Sequence, residues 1–136
     1  MAKLYTLLPV LQLLFPASLM GKLTTHVLDT MNGCPAAGML VGLYRLTGDQ
    51  ASLLRQVALN HDGRTDGPLL DDTTFATGRY RLVFEVAAYF RGRGITLPEP
   101  AFLDAVPIEF GLANPLQHYH VPLLTSPWAY STYRGS

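Results

Sequence analysis

Hydrophobic and polar positions alternate along the last part of the chain, where residues 118–124 read HYHVPLL. A period of two places successive side chains on opposite faces of a strand. One face then carries only apolar or aromatic residues: Tyr119, Val121 and Leu123. The other face combines imidazoles with apolar groups: His118, His120, Pro122 and Leu124. Such a mixture suits neither bulk water nor an ordinary interior, so this second face is predicted to lie at an interface between subunits.

The chain after this strand is predicted to be ordered up to its last residue. Ser126-Pro127 is a turn signal, and a short β-prone run follows it from Tyr130 to Ser136. Chain ends normally fray. An ordered terminus is therefore an expectation that the structure can test directly.

From Gly21 onward, short apolar or alternating runs are separated by turn signals, a pattern that predicts an all-β sandwich. Roughly seven or eight strands are expected around one core. The clearest alternation lies in residues 80–86, and a single short helix is expected at residues 87–91. The other predicted strands are residues 22–29, 39–46, 53–59, 106–112 and the segment from His118.

Residues 1–20 differ from the rest of the chain. Lys3 precedes a leucine-rich run, as in a secretion signal, but Pro9, Gln12 and Pro16 interrupt it. We interpret residues 1–20 as an N-terminal extension, either upstream of a true start at Met20, a disordered leader or a signal-like segment, and residues 21–136 as the domain. A cytoplasmic location follows from the first interpretation, and an exported or periplasmic one from the last.

Composition narrows the range of partners. A chain of 136 residues is expected to form one domain.

Charged residues make up 15% of the chain, below the roughly 25% usual for soluble domains, so partner subunits are expected to cover some apolar surface. The formal net charge is zero, which gives no electrostatic reason to expect a nucleic acid or an anionic membrane. The lone Cys34 excludes an internal disulfide and lies in a turn sequence.

Two histidines are candidates for proton transfer. Alternation in residues 22–29 places Thr24, His26 and Leu28 on the face opposite to the core, and His120 lies on the corresponding face of the late strand. Imidazoles have a reference pKa of about 6.5, close to neutral pH. Each histidine alone is more often structural than catalytic. Because both point outward from the core, a joint role in proton transfer is slightly favoured.

The sequence also contains a candidate metal site and a candidate ligand-binding arginine. His118 and His120 point the same way and could chelate zinc, but they need a third ligand such as His26 or His61, and we predict no metal or other cofactor. Arg64 lies in the turn sequence of residues 62–67 and could hold an anionic or carbonyl-bearing ligand. The alternative is a solvated arginine paired weakly with a neighbouring aspartate.

Four segments together resemble the transthyretin-related 5-hydroxyisourate hydrolases. Near the start stands LTTHVLDT, in the middle DGR, then HVPLL followed by SP, and YRGS as the last four residues. The terminal tetrapeptide is the most specific of the four. The resemblance covers residues 21–136.

This resemblance implies a transthyretin-like sandwich of two four-stranded sheets, assembled as a homotetramer with active sites at the interface between dimers. It also implies a small-molecule substrate, 5-hydroxyisourate, which is opened by hydrolysis during urate degradation. The residues that it implies for catalysis are His26, Arg64, His120 and Ser136. Those that it implies for substrate binding are Arg64, Tyr133, Arg134, Gly135 and Ser136.

Two alternatives from other classes remain. The same tetramer could carry a small hydrophobic ligand in its central channel, as transthyretin does, but a carrier has no need for histidines in that channel or for the terminal YRGS. A domain that recognises carbohydrate or peptide would present an aromatic platform, for which Trp128 and Tyr130 are candidates. Packing in the core or at its rim is the simpler expectation for both aromatic residues.

Overall fold

The computed structural model describes residues 20–136, and within this part of the chain two four-stranded sheets and one helix are present. The strands are β1 (Lys22–Asp29), β2 (Cys34–Pro35), β3 (Leu40–Thr47), β4 (Gln50–Ala58), β5 (Gly78–Glu85), β6 (Ala105–Leu112), β7 (His118–Thr125) and β8 (Tyr130–Thr132). Helix α1 (Val86–Gly92) connects β5 to β6. The predicted architecture of two four-stranded sheets with one short helix is confirmed. The interpretation of residues 1–20 concerns a segment that, except for Met20, lies outside the described residues.

The first sheet has the order β2-β1-β7-β8 and the second the order β4-β3-β5-β6. β1 and β7 run parallel over their whole length, from Lys22 opposite His118 to Asp29 opposite Thr125. The pairs within the second sheet are antiparallel. The first and the last long strands of the domain, β1 and β7, are therefore neighbours in one sheet. Each of them carries a histidine on the face of this sheet that points away from the core.

The core lies between the two inner faces, as a period of two requires. Alternate residues of β1 are buried and half-buried, and β5 shows the same pattern. Removing a large apolar side chain from water stabilises the fold by about 1.5–3 kcal/mol. The main buried side chains of the facing sheets are Leu23, Val27, Val41, Leu43, Tyr80, Leu82, Phe84, Val121 and Leu123.

β4 overlaps the strand predicted at residues 53–59, but its leucines are not buried. Leu53 is 54% exposed and Leu54 is 45% exposed. The strand begins earlier, at Gln50, and is the edge strand of its sheet. An irregularity in its register with β3, between Leu43 and Tyr44, also breaks the simple alternation.

A buried carboxylate, that of Asp29, stabilises the contact between the end of β1 and helix α1. Asp29 has no solvent exposure, and it accepts hydrogen bonds from the Tyr89 hydroxyl at 2.8 Å and from the Asn32 side-chain amide at 2.7 Å. Burial raises the pKa of Asp29, but these bonds and one from the Asn32 backbone outweigh it, so the pKa is lowered. Burial and the same carboxylate raise the pKa of Tyr89. Cys34 was predicted to lie in a turn, but it is the first residue of β2, directly after the turn at residues 30–33, and its sulfur lies 3.9 Å from this carboxylate.

The aromatic residues near the last turn are surface groups. Trp128 is 57% exposed and Tyr130 is 45% exposed, so of the two expected places, the core and its rim, the core is excluded for both. Trp128 packs against the exposed ring of Phe102, with 6.1 Å between the ring centroids. In the part of the chain that the structure describes, no helix combines the length and the apolar character needed to cross a membrane.

Candidate active site

His26 and His120 lie on the outer face of the first sheet, and both are half-buried. In the parallel register, Thr24 is opposite His120 and His26 is opposite Pro122. The two histidines are therefore diagonal neighbours on adjacent strands, which puts their Cα atoms roughly 8 Å apart. The structure thus brings together the two imidazoles that alternation had assigned to outward faces.

Arg64 is presented to this face by a tight turn. The side-chain oxygen of Asn60 accepts hydrogen bonds from the backbone N–H of Asp62 at 2.9 Å and of Arg64 at 3.2 Å. Gly63 has a φ of +72°, and a Cβ atom there would lie 2.6 Å from the carbonyl oxygen of Val27. Only glycine meets both conditions without strain. The sequence Asn-His-Asp-Gly-Arg therefore forms this turn for local reasons and leaves Arg64 at its end.

The turn is attached to β1 beside His26. An isolated antiparallel bridge pairs His26 with Arg64, and the Val27 N–H donates to the Gly63 carbonyl at 2.9 Å. The Arg64 residue is exposed, and within residues 20–136 its guanidinium forms no ion pair with Asp62 or Asp66. Of the alternative, a solvated arginine paired with a neighbouring aspartate, the exposure is therefore present and the pairing is absent within these residues.

The pKa values of both imidazoles are lowered. Burial is the main cause for His26, followed by the charge of Arg64, and a hydrogen bond to the backbone of Asp62 partly opposes them. For His120, burial comes first, followed by Arg64 and by His26. Both rings are consequently neutral at pH 7, beside one guanidinium that stays charged. This combination offers proton acceptors together with a cation that can stabilise a developing negative charge.

The C-terminal tail forms part of the site. The Gly135 N–H donates to the His120 carbonyl at 2.8 Å, and the His120 N–H donates to the Gly135 carbonyl at 3.3 Å. A Cβ atom on Gly135 would lie 3.0 Å from Cβ and from Cδ2 of His120, so the tail packs closely on this side chain. The expected ordered terminus is therefore present. Ser136 follows as an exposed residue, and among the described residues no hydrogen bond joins it to His26 or His120.

Arg134 and Tyr133 are directed elsewhere. The guanidinium carbon of Arg134 lies 4.5 Å from the centre of the Tyr119 ring, and the group donates to the Gln117 side-chain oxygen at 3.3 Å. Tyr119 belongs to the core face of β7, whereas His120 belongs to its outer face. Tyr133 is 60% exposed and, with Arg134, lines a cleft of about 250 Å³ between β6 and β8. In one protomer these two side chains are thus separate from the imidazoles, and their predicted contact with substrate stays a prediction.

Sequence reasoning did not single out Thr24 as a site residue. Its Oγ1 atom lies 2.8 Å from Nδ1 of His120. Alternation had placed Thr24 on the same face as His26, which was the available signal. The contact itself depends on the parallel register of β1 with β7, which alternation cannot specify.

Metal ligands and cavities add little to this site. Within residues 20–136, no group of three or more His, Cys, Asp or Glu side chains is arranged to hold a metal ion. His61, named above as a possible third zinc ligand, is exposed and lies 3.5 Å from a carboxylate oxygen of Asp62. A cavity of about 470 Å³ lies beside β4 and is lined by residues such as Arg45, Arg55 and Leu69, without the imidazoles or Arg64. On the imidazole face both histidines are half-buried and Arg64 is exposed.

Known proteins of the same fold include both hydrolases and transthyretins. The family model described as HIUase/Transthyretin family matches residues 23–135. A relative from Rhizobium meliloti, named 5-hydroxyisourate hydrolase 2, is 60% identical over 116 residues, which are 85% of this chain and 97% of the relative.

Two solved structures extend the comparison. A structure of (S)-allantoin synthase is 46% identical with a TM-score of 0.81; the match covers 88% of this chain and 45% of that one, so this chain spans less than half of its length. Sea bream transthyretin, solved in complex with thyroxine, is 25% identical with a TM-score of 0.74 and is matched over 84% of this chain and 94% of its own. The predicted transthyretin-like sandwich is confirmed. The chain belongs to the HIUase/Transthyretin family.

Proposed function

We propose that this protein is an enzyme that hydrolyses 5-hydroxyisourate to 2-oxo-4-hydroxy-4-carboxy-5-ureidoimidazoline. The observation that carries the proposal is the convergence of His26, His120 and Arg64 on one face: two imidazoles with lowered pKa values beside a guanidinium without an ion-pair partner in the described chain. A 60% identical relative that carries a hydroxyisourate hydrolase name supports the same substrate.

Each requirement of the reaction has a matching group. Hydrolytic opening of a cyclic amide needs a base that deprotonates water, a donor that stabilises the oxyanion, and an acid that protonates the leaving nitrogen. A positioned base accelerates such a step by roughly 10²- to 10⁴-fold, and one oxyanion donor contributes about 3 kcal/mol in the transition state. His26 and His120 exchange the protons in this proposal. Arg64 binds the carbonyl-rich ring and stabilises the oxyanion.

The proposed assembly is a homotetramer whose active sites lie between dimers. Two features of the protomer support it. The imidazole face is half-buried and carries the apolar side chains Leu28 and Leu124 beside the histidines. The edge strands β6 and β8 border an open cleft and leave their outer edges unpaired within residues 20–136. A second copy placed over the imidazole face covers its half-buried histidines and the exposed Arg64.

A carrier of a hydrophobic ligand is the second candidate, and the similarity to a transthyretin structure with thyroxine favours it. The chemistry of the face argues against it. A carrier gains nothing from two neutral imidazoles beside an exposed guanidinium, because these groups cost desolvation energy when an apolar ligand covers them. Tight packing of Gly135 on the His120 side chain is also unexplained by carriage.

The proposal is tested by ultraviolet spectroscopy. 5-Hydroxyisourate is generated freshly by enzymatic oxidation of urate, and its decay is followed with and without the protein. We expect the wild-type protein to accelerate the decay, and Arg64→Ala and His120→Ala to reduce this acceleration by at least about 10²-fold. Arg93→Ala is the matched control, since Arg93 is an exposed arginine after α1. A folded wild-type protein that leaves the spontaneous rate unchanged eliminates the hydrolase and leaves the carrier.

A further inference from the structure

The imidazole ring of His120 is held from two sides. On the β1 side, the Thr24 hydroxyl oxygen lies 2.8 Å from Nδ1. On the other side, the backbone of Gly135 comes so close that a Cβ atom there would contact Cδ2 at 3.0 Å. Nδ1 and Cδ2 flank the attachment point of the ring, so both contacts act near its base. Nε2 is the nitrogen left to meet another molecule.

We propose that Thr24 is a positioning residue, whose hydroxyl accepts a hydrogen bond from Nδ1–H of His120 and so keeps the lone pair of the neutral ring on Nε2. This inference rests on the hydrolase function proposed above. It assigns Nε2 of His120 as an atom that takes a proton from the attacking water. Thr24 itself touches neither substrate nor water in this step.

The chemistry of the two groups supports this arrangement. A neutral imidazole has one N–H and one lone pair, and the partner of one nitrogen decides which nitrogen carries the proton. Thr24 is β-branched and lies within β1, so its χ1 angle is restricted and its hydroxyl stays in place. When Nε2 gains a proton, Nδ1–H continues to donate to Thr24, and the ring changes its charge without turning.

The partner of Nδ1 in His120 is a neutral hydroxyl and not a carboxylate. A carboxylate at Nδ1 would stabilise the imidazolium ion and raise the pKa of His120. A hydroxyl is neutral, and it orients the ring without adding a negative charge. Thr24 therefore fits a histidine that works as a neutral proton acceptor beside the positive charge of Arg64.

The experiment compares wild type with Thr24→Val, which keeps the shape but removes the hydroxyl, and with Thr24→Ser, which restores it. Nitrogen-15 NMR of the imidazole groups reports the tautomer and the pKa of His120 without any substrate. We expect the Nδ1–H tautomer in the wild type and in Thr24→Ser. In Thr24→Val, an Nδ1–H would lack an acceptor, so the ring should shift to the Nε2–H tautomer and the pKa of His120 should fall further.

Kinetics complete the test. In Thr24→Val, kcat for ring opening should fall about tenfold, with a smaller change in KM, and the acid limb of the pH profile should move to lower pH. Thr47→Val removes a hydroxyl from an exposed strand end and serves as the control. A merely structural Thr24 would change the melting temperature and leave the tautomer and the pH limb unchanged.

Two results overturn the inference: a wild-type ring that carries its proton on Nε2, or a Thr24→Val variant with an unaltered tautomer and pH profile. The substrate-free spectra separate this inference from the proposed function. If the spectra behave as expected while the wild-type protein opens no 5-hydroxyisourate, the hydrolase proposal fails and the tautomer assignment stands.

Discussion

His26 and Arg64 lie opposite each other across an isolated antiparallel bridge, which joins the outer face of the first sheet to the polar turn at residues 60–64. The bridge is short, and the Val27-to-Gly63 hydrogen bond of 2.9 Å reinforces it. The relationship explains how an exposed turn residue is held beside an imidazole on a rigid strand. It also makes the geometry of the turn important for the chemistry of the site.

Substitution of Gly63 tests this coupling. A Cβ atom at Gly63 would meet the Val27 carbonyl oxygen at 2.6 Å, and the residue has a φ of +72°. We expect Gly63→Ala to lower the free energy of unfolding by about 1–3 kcal/mol and to reduce ring-opening activity by displacing Arg64. Gly67→Ala is the control, because a Cβ atom there meets nothing within 4 Å. Urea denaturation and initial rates measure both effects, and equal behaviour of the two variants would contradict the proposed strain.

The lowered pKa values of His26 and His120 predict the response to acid. The ordinary pKa of both histidines is 6.5, and the folded protein lowers it. As the pH falls below 6.5, the histidines of the unfolded chain bind protons while the two rings of the folded protein stay neutral. The acid limb of kcat/KM should therefore have an apparent pKa below 6.5. Stability should be complete above the unfolded value and should decline as the pH falls from there through the lowered folded values.

Rate profiles and urea titrations between about pH 5 and pH 8 check this response. His61→Gln should change neither, since His61 is exposed in its turn. An acid limb above the ordinary histidine value would show that a negative charge, such as that of Asp62 near His26, outweighs burial and the charge of Arg64.

The bond between Tyr89 and Asp29 makes a separate prediction about stability. The Tyr89 hydroxyl donates a hydrogen bond of 2.8 Å to the fully buried carboxylate of Asp29, and Tyr89→Phe removes this donor. We expect the free energy of unfolding to fall by about 1–3 kcal/mol, while Tyr130→Phe, at an exposed position, should leave it unchanged. The hydrogen bond from Tyr89 also helps to lower the pKa of Asp29. When the pH is lowered, the variant should therefore begin to lose stability at a higher pH than the wild type. Equal midpoints for the two variants in urea would refute this role.

The packing of the tail predicts an asymmetry between the two ends of the chain. Gly135 is hydrogen-bonded to His120 in both directions, so residues added after Ser136 must leave beside the site. A short tag after Ser136 should reduce kcat/KM by about tenfold or more, whereas the same tag before Met1 should have little effect. Activity assays on the two fusions, with circular dichroism to compare their folds, decide the matter. Equal activity would exclude the tail from the site.

Alternation predicted the faces of β1 and β7 correctly, because each strand has one face in the core and a period of two fixes the other. The register between the strands could not be predicted in this way, so the contact of Thr24 with His120 was missed. The strand at residues 53–59 was predicted, but the exposure of its leucines was not, because an edge strand with a register irregularity need not bury them. For Arg134, sequence gave no means of deciding between substrate and the Tyr119 ring.

The parallel pairing of β1 with β7 has a consequence for synthesis. Thr24 and His120 are 96 positions apart in the chain, and the closing partner, Gly135, is the penultimate residue. Contacts between such distant segments form late and slow the search for the native state. A nascent chain on the ribosome therefore lacks the contact of Gly135 with His120 until residue 135 has been released, and a product truncated before Gly135 should lose ring-opening activity even where most of its sandwich has formed.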